Sequence, residues 1–420
     1  MKKRKLVSVL VLLLVSVSLL FGQSAGAVAE VSSGVNGDVA SDWVSYGTEH
    51  IEGTRRISAV TGRYATTNTQ ELFDVGGTDL GIPFTYTYKN EAEEEKTELR
   101  ILFGDTFSTE YLEGVWRSNV MAITEDFDFS DGITIDSFVS TDTVNGYGTE
   151  LIPGIHVSQQ QMTAIPTGAM QIGDAIYVYY MGVRVWGDDG EWWNNLGGVY
   201  KSTDGLIFSR VESMYIYANK MANFTQNYPL VVDEDHDGTD DWLYVFGISG
   251  GRSSGLRCMR VSLKGENDEV LTGAEQQARV ENLDNYTYFN GYENGEPTWI
   301  PYNEHYMALV WNYSEEAEVI SAPCGEMSIC YNPYLGKYMA TYQQHNTLIM
   351  KLADTPYGPY GKSEIILTSS DFNTFYNAFT TSAMLKDDGK TVYFLMSQWP
   401  RSDSGATLNY FVGLMEMKLK

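Results

Sequence analysis

Basic residues are scarce in this chain: 28 Lys and Arg stand against 55 Asp and Glu in 420 residues, a formal charge of −27. Such a coat repels phosphate backbones and anionic headgroups, which excludes nucleic acid as a partner. Cysteine is nearly absent. Cys258, Cys324 and Cys330 allow at most one internal bridge, too little to staple a chain of this size. Buried free thiols are expected, with a Cys324–Cys330 link across a short loop as the alternative. The five His have no zinc spacing, and no nucleophile elbow, Walker loop or dinucleotide fingerprint occurs. Helical periodicity is almost missing, and beyond Phe21 no run is long and apolar enough to span a bilayer.

What is present begins with a leader. Lys2, Lys3, Arg4 and Lys5 precede an apolar run from Leu6 to Phe21, followed by small residues at Ala25, Ala27 and Ala29. Basic, apolar and small residues in that order are a secretory signal over residues 1–29, so a secreted protein with no membrane span after cleavage is expected. Its loss leaves 24 basic against 55 acidic residues, a charge of −31. Residues 30–50 are small and polar and read as a leader before the folded domain.

With 43% apolar residues, including 29 Tyr, 17 Phe and 9 Trp, the remainder can bury a large core. Short β-branched and aromatic runs such as ELRILFGDTF, AIYVYYMGVRVW, DWLYVFGIS and TVYFLMSQW alternate with Gly, Asn and Asp clusters. That pattern is all-β. Units of about 70–75 residues fit five times into 51–420, which predicts one five-bladed β-propeller, expected as a monomer. Ser202, Asp204, Gly205 and Phe208 resemble the Asp-box turn of sialidase-like propellers, a structural device.

Asp233, Asp235, Asp237, Thr239 and Asp241 alternate around Gly238 between two strand-like runs. Carboxylates at positions 1, 3, 5 and 9 with a carbonyl at 7 supply the oxygen cage that calcium prefers. The twelfth position is Tyr244 rather than the Glu of a helical hand, so the loop looks instead like the calcium hairpins of integrin-type propellers. A structural calcium is expected.

Export, acidity and aromatic wealth suggest a polysaccharide or oligosaccharide ligand and a glycan enzyme, whose minimum equipment is two carboxyls flanking a bond. Three acids stand out: Asp79 in GGTDLGIPF, Asp105 at the end of the apolar strand LRILFGDTF, and Glu326 in CGEMSICYNP. Gly and apolar neighbours desolvate a carboxyl and raise its pKa, which suits proton transfer. Candidate sugar ligands are Trp116, Arg117, Asn119, Asn227, Tyr228, Trp299, Tyr342, Gln343 and Trp399, since aromatic faces stack on sugar rings while Arg, Asn and Gln bond hydroxyls.

The segments TGRYATTNTQ, GGTDLGIPF, LRILFGDTF, GVWRSNVMAIT, IPTGAMQIGDAIYVYYM, GEMSICYNPYLGKYMATY and ADTPYGPYG together resemble the domain of unknown function 4185 family. The likeness runs from about Ile57 to the end. It implies a five-bladed propeller, and some bacterial members are endo-acting D-arabinanases of glycoside hydrolase family 183. It further implies a furanoside hydrolase with Asp79, matching the TDLG Asp, and Asp105, matching the FGDT Asp, as its acids. Glu326 is carried by likeness to a later-blade Glu of other five-bladed glycosidases. Stretches 91–98 and 264–295 have no match in the family and read as loop insertions, the second able to border a cleft. The rival functions are a non-catalytic glycan-binding propeller and a protein-interaction platform.

Overall fold

The computed structural model describes residues 40–188, 191–235, 237–302, 317–402, 405 and 407–420. The expected signal at 1–29 lies outside them, as do residues 30–39 of the leader. The chain clusters into two units, Met1–Ser32 and Ser33–Lys420, and only the second is described below.

Five antiparallel sheets follow one another along the chain. The first holds Leu80–Lys89, Glu95–Phe103, Val120–Thr124 and Ser137–Phe138; the second is built on Thr163–Ile172, Ala175–Trp186 and Trp192–Ser202. The third runs from Gln226–Val232 to Glu296–Pro301, and the fourth from Met327–Asn332 to Glu364–Thr368. The fifth starts at Phe375–Phe379 and ends with Phe411–Leu419, onto which Ile51–Ala59 adds as the outermost strand. The fifth sheet thus joins an early segment of the chain to a late one.

The five leading strands adjoin one another in cyclic order: Leu80–Lys89 touches Thr163–Ile172, which touches Gln226–Val232, then Met327–Asn332, then Phe375–Phe379, which returns to Leu80–Lys89. Leu80, Thr167, Asn227, Met327 and Phe379 line a narrow space on their shared axis. These strands are buried on both faces, which explains near-continuous apolar runs where a half-exposed strand would alternate. A core cluster includes Ile82, Ile165, Tyr244, Ile329 and Phe379, drawing on every sheet. Because the leading strands enter the axis in the same sense, their N-terminal ends gather on one side of the molecule.

The Asp-box turn forms at the second sheet: Asp204 Oδ1 accepts from Ser202 Oγ and from the N–H groups of Leu206 and Ile207, each at 2.8 Å. Gly205 takes φ +70° there, backbone that favours glycine. The three cysteines are free and buried. The stretch 264–295 contains a helix, Gly273–Val280, with a Thr272/Glu275 capping box. It packs on Gly173, beyond the C-terminal end of Thr163–Ile172, away from the gathered N-terminal ends.

Candidate active site

Asp79 and Asp105 owe their proximity to one hairpin. Leu80 pairs with Phe103, so the residues just beyond that pair lie side by side at the hairpin's open end, and Gly104 N donates to the Asp79 carbonyl at 3.3 Å. Leu80 (φ 67°) and Gly81 (φ 75°) take left-handed backbone where the register shifts between Leu80 and Ile82. A bulge re-aims the neighbouring side chain, here that of Asp79. For Leu this backbone costs on the order of 1 kcal/mol, and it is held by Leu80 N–H donating to Ser397 Oγ at 2.6 Å. Gly104 is needed sterically: a Cβ there would lie 2.3 Å from Asp79 Oδ1.

Neighbouring sheets complete the setting. Asp105 Oδ1 accepts from Trp116 Nε1 at 2.9 Å and from the hydroxyl of Thr163, the first residue of the second leading strand, at 2.6 Å. Asp79 Oδ2 accepts from Tyr376 Oη at 2.7 Å, and Tyr376 lies 3.0 Å from Tyr410 Oη. Asp79 Oδ1 is buried without a partner among the described residues. Burial pushes Asp105 up to about 7, and the charge of Asp79 adds to it, against the pull of Thr163 and Trp116. Burial also raises Asp79, to about 6, with the Tyr376 and Tyr410 hydroxyls and Arg252 pulling down and Glu326 pushing up. Two carboxyls that feel each other this way titrate as a pair.

Glu326 stands just before the fourth leading strand and is locked. Its oxygens take a bidentate grip from Arg252, Nε to Oε2 at 2.8 Å and Nη2 to Oε1 at 2.7 Å. The guanidinium is itself flanked by Trp192 at 5.2 Å and Tyr376 at 5.1 Å. All five sheets therefore contribute at the same end: Asp79 and Asp105 from the first, Thr163 and Trp192 from the second, then Arg252, Glu326, and Tyr376 with Tyr410. Two sheltered carboxyls held near neutral pKa beside a fixed cation can move a proton and stabilise developing positive charge.

The family model for the domain of unknown function DUF4185 matches residues 64–416. The chain belongs to the DUF4185 family. Among solved structures it resembles a protein of Bacteroides ovatus ATCC 8483 assigned as a hydrolase, at 11% identity and a TM-score of 0.51, over 87% of this chain and 90% of that one. It is also similar to a family 117 glycoside hydrolase of Zobellia galactanivorans, at 12% identity and TM-score 0.42 over 86% and 89% of the two chains. An arabinanase of Bacillus subtilis aligns at 11% identity and TM-score 0.38 over 81% and 96%. At 11% identity the first of these likenesses speaks for fold and not for activity. No curated protein matches the chain.

Against this DUF4185 framework the expected sugar ligands divide. Trp116 sits on Asp105, and Trp399 packs against Tyr410 with ring centroids 5.7 Å apart. Others are spent elsewhere. Arg117 is a buried strut that donates to the carbonyls of Gly148 and Asp74. Asn119, fully buried, accepts from the N–H groups of Leu151 and Ile152 and donates to the carbonyls of Ile152 and Ala164, so no polar atom is left for a sugar. Asn227 and Tyr228 line the narrow axial space, Asn227 Nδ2 donating to Phe224 O at 2.7 Å. Trp299 lies on the outermost strand of the third sheet, stacked 3.9 Å under Arg260. Tyr342 is core, and Gln343 is buried, its Nε2 donating to His345 O at 2.8 Å. In each case the side chain's partners come from the tertiary fold, which composition alone does not reveal.

Sequence reasoning missed Arg252, Tyr376, Tyr410, Thr163, Trp192 and His156, whose ring packs 4.2 Å from that of Trp116. One signal was available: Arg252 follows two glycines in a chain with few basic residues. Nothing distinguishes Tyr376 or Tyr410 among 29 tyrosines.

The acidic loop folds as a tight hairpin tip. Asp233, Asp235 and Asp237 each offer an oxygen within 4.8 Å of the others, and Gly238 turns the chain at φ +89°. Thr239 N–H donates to Asp237 Oδ1 at 2.7 Å, and Asp241 Oδ2 accepts from Glu234 N at 2.6 Å. Lys264 Nζ contacts Asp241 and approaches Asp235 at 3.8 Å and Asp237 at 4.0 Å. The donor set fits a hard cation, with Lys264 as a competing one.

Proposed function

We propose that the chain is a secreted, monomeric glycoside hydrolase on a five-bladed β-propeller, endo-acting on a furanose-rich polysaccharide such as D-arabinan. The observation that carries this reading is the Asp79–Asp105 pair: two carboxyls at the open end of one hairpin, both raised toward neutrality. Five sheets with cyclically adjoining inner strands support five blades, and the basic, apolar and small-residue order at 1–29 supports export.

Asp105 is the general acid. Its Oδ1 is occupied by Thr163 and Trp116, which leaves Oδ2 to carry the proton delivered to the glycosidic oxygen. Asp79 is the ionised partner, kept so by the Tyr376 hydroxyl and the nearby Arg252, and acts as base or nucleophile. Glu326 is committed to Arg252 and serves charge balance, not proton transfer. A non-catalytic glycan binder would have its acids spent in internal bonds; that describes Glu326 but not Asp79, whose Oδ1 has no partner among the described residues. Incubating the protein with D-arabinan, arabinogalactan and other glycans should release oligosaccharides of several lengths. Release from none of them, or full activity in both Asp79→Asn and Asp105→Asn, ends the assignment.

Asp233, Asp235, Asp237, the Thr239 carbonyl and Asp241 are further proposed to hold a structural calcium. Calorimetric titration of chelator-treated protein should show binding and a higher melting temperature. No heat and no shift would leave Lys264 as the neutralising group.

A further inference from the structure

The hairpin formed by Ala175–Trp186 and Trp192–Ser202 carries three tryptophans, of which the catalytic reading uses only Trp192. Trp186 pairs with Trp192, and Val185 with Trp193. Successive residues on a strand point to opposite faces, so Trp186, Trp192 and Asn194 share one face while Trp193 lies on the other. The first face belongs to the site: Trp192 packs over the Arg252 guanidinium that grips Glu326 and flanks Tyr376, the Asp79 partner. Trp186 meets Trp192 edge to face, with centroids 6.0 Å apart, and is 42% exposed. A continuous row therefore leads from Asp79 through Tyr376, Arg252 and Trp192 out to an open indole.

Two observations mark this face as built for a polar occupant. Trp192 is 5% exposed, yet its Nε1 has no partner among the described residues, and Asn194 Oδ1 is likewise buried and unpartnered. Buried polar groups are normally satisfied, and here a donor and an acceptor remain free on the face that carries Trp186. Trp193 differs. Its ring lies against Gly187, where a Cβ would meet it at 2.7 Å, and among the described residues no ring contact links it to Arg252.

We propose that Trp186 is the stacking platform of a distal sugar subsite, which holds a glycan residue beyond the one cut and extends the site to a chain. Sugar rings present axial and ring hydrogens to an aromatic face and hydroxyls at their rim, which suits an indole bordered by unpaired N–H and C=O groups. The proposal rests on the hydrolase reading and deepens it toward polymeric substrates.

The test separates binding from cleavage. Asp105→Asn is run by affinity electrophoresis through gels containing soluble D-arabinan, alone and combined with Trp186→Ala or Trp193→Ala. Retardation in the parent, lost with Trp186→Ala and kept with Trp193→Ala, is the expected result. No retardation in the parent, equal retardation in all three, or equal loss with both tryptophan variants overturns the subsite. In the otherwise native chain, Trp186→Ala should raise KM for the polymer about tenfold, shift the product lengths, and leave kcat within about twofold. If the native chain cleaves the polymer and Trp186→Ala changes neither KM nor products, the subsite fails while the hydrolase stands. If arabinan retards the parent in a Trp186-dependent way but nothing is cleaved, the hydrolase fails while the subsite stands.

Discussion

Two groups of aspartates in this chain meet different electrostatic surroundings. Asp79 and Asp105 lie among aromatic rings with few donors, and burial raises both, to about 6 and about 7, the Asp79 charge adding to the rise of Asp105. Around 233–241 a denser cluster sits at an exposed hairpin tip. There Asp241 falls below the ordinary carboxylate range: burial pulls it upward, but Lys264 and the Glu234 N–H outweigh that pull. Its neighbour Asp240, which lacks such donors among the described residues, rises through burial and the charges of Asp233 and Asp241, so shelter and the supply of donors decide the direction within one cluster. The sparse pair is suited to proton transfer and the dense cluster to holding a cation.

The sharpest way to break the comparison is to remove the sheltered pair. Asp105→Asn should cut turnover on a glycan by about 10²–10⁴-fold, measured as released reducing ends, with the fold retained by circular dichroism. Gly104→Ala should come next, at about tenfold to a hundredfold, because the added Cβ would fall on Asp79 Oδ1; an unchanged rate would remove the need for that geometry. Arg252→Ala takes away a positive charge that favours ionised Asp79, so the acidic limb of the pH–rate profile should move to higher pH. A native bell lying between about 6 and 7 is its reference.

The stability consequence is smaller and opposite in sign to an ordinary salt-bridged acid. Asp105 has a folded pKa above its unfolded value, so it favours the fold at low pH and loses that contribution as pH rises through about 7. Asp105→Asn should therefore melt higher than the native chain at pH 8, by on the order of 1 kcal/mol, and no higher near pH 3. The smallest effect belongs to the exposed cluster: Lys264→Met should tighten calcium binding in a titration, since the competing ammonium is gone. Unchanged affinity would separate Lys264 from the loop's cation site.

Much of this was legible in the chain. TDLG and FGDT placed two acids next to strand ends, and the glycines beside them have definite tasks: Gly81 follows Leu80 through a left-handed bulge, and Gly104 clears space for Asp79. The Asp-box turn and the alternating acidic loop were readable because their bonds span only a few residues. The sugar-ligand expectations fared differently. Asn119 and Arg117 look like recognition residues in sequence, yet their bonds go to backbone carbonyls and N–H groups 31 to 45 residues away. Glu326 stood out as an acid, but its partner Arg252 is 74 positions distant.

The sequence by itself determined the strand runs, the turns, the acidity and the two local motifs that carry Asp79 and Asp105, because each depends on neighbours along the chain. Tertiary structure alone decided that the second sheet supplies Thr163 to Asp105, that the fifth supplies Tyr376 to Asp79, and that Arg252 is spent on Glu326 between Trp192 and Tyr376. Those pairings follow from five leading strands meeting on one axis, and the pKa values follow from the water excluded there. Neither quantity is written in any single segment.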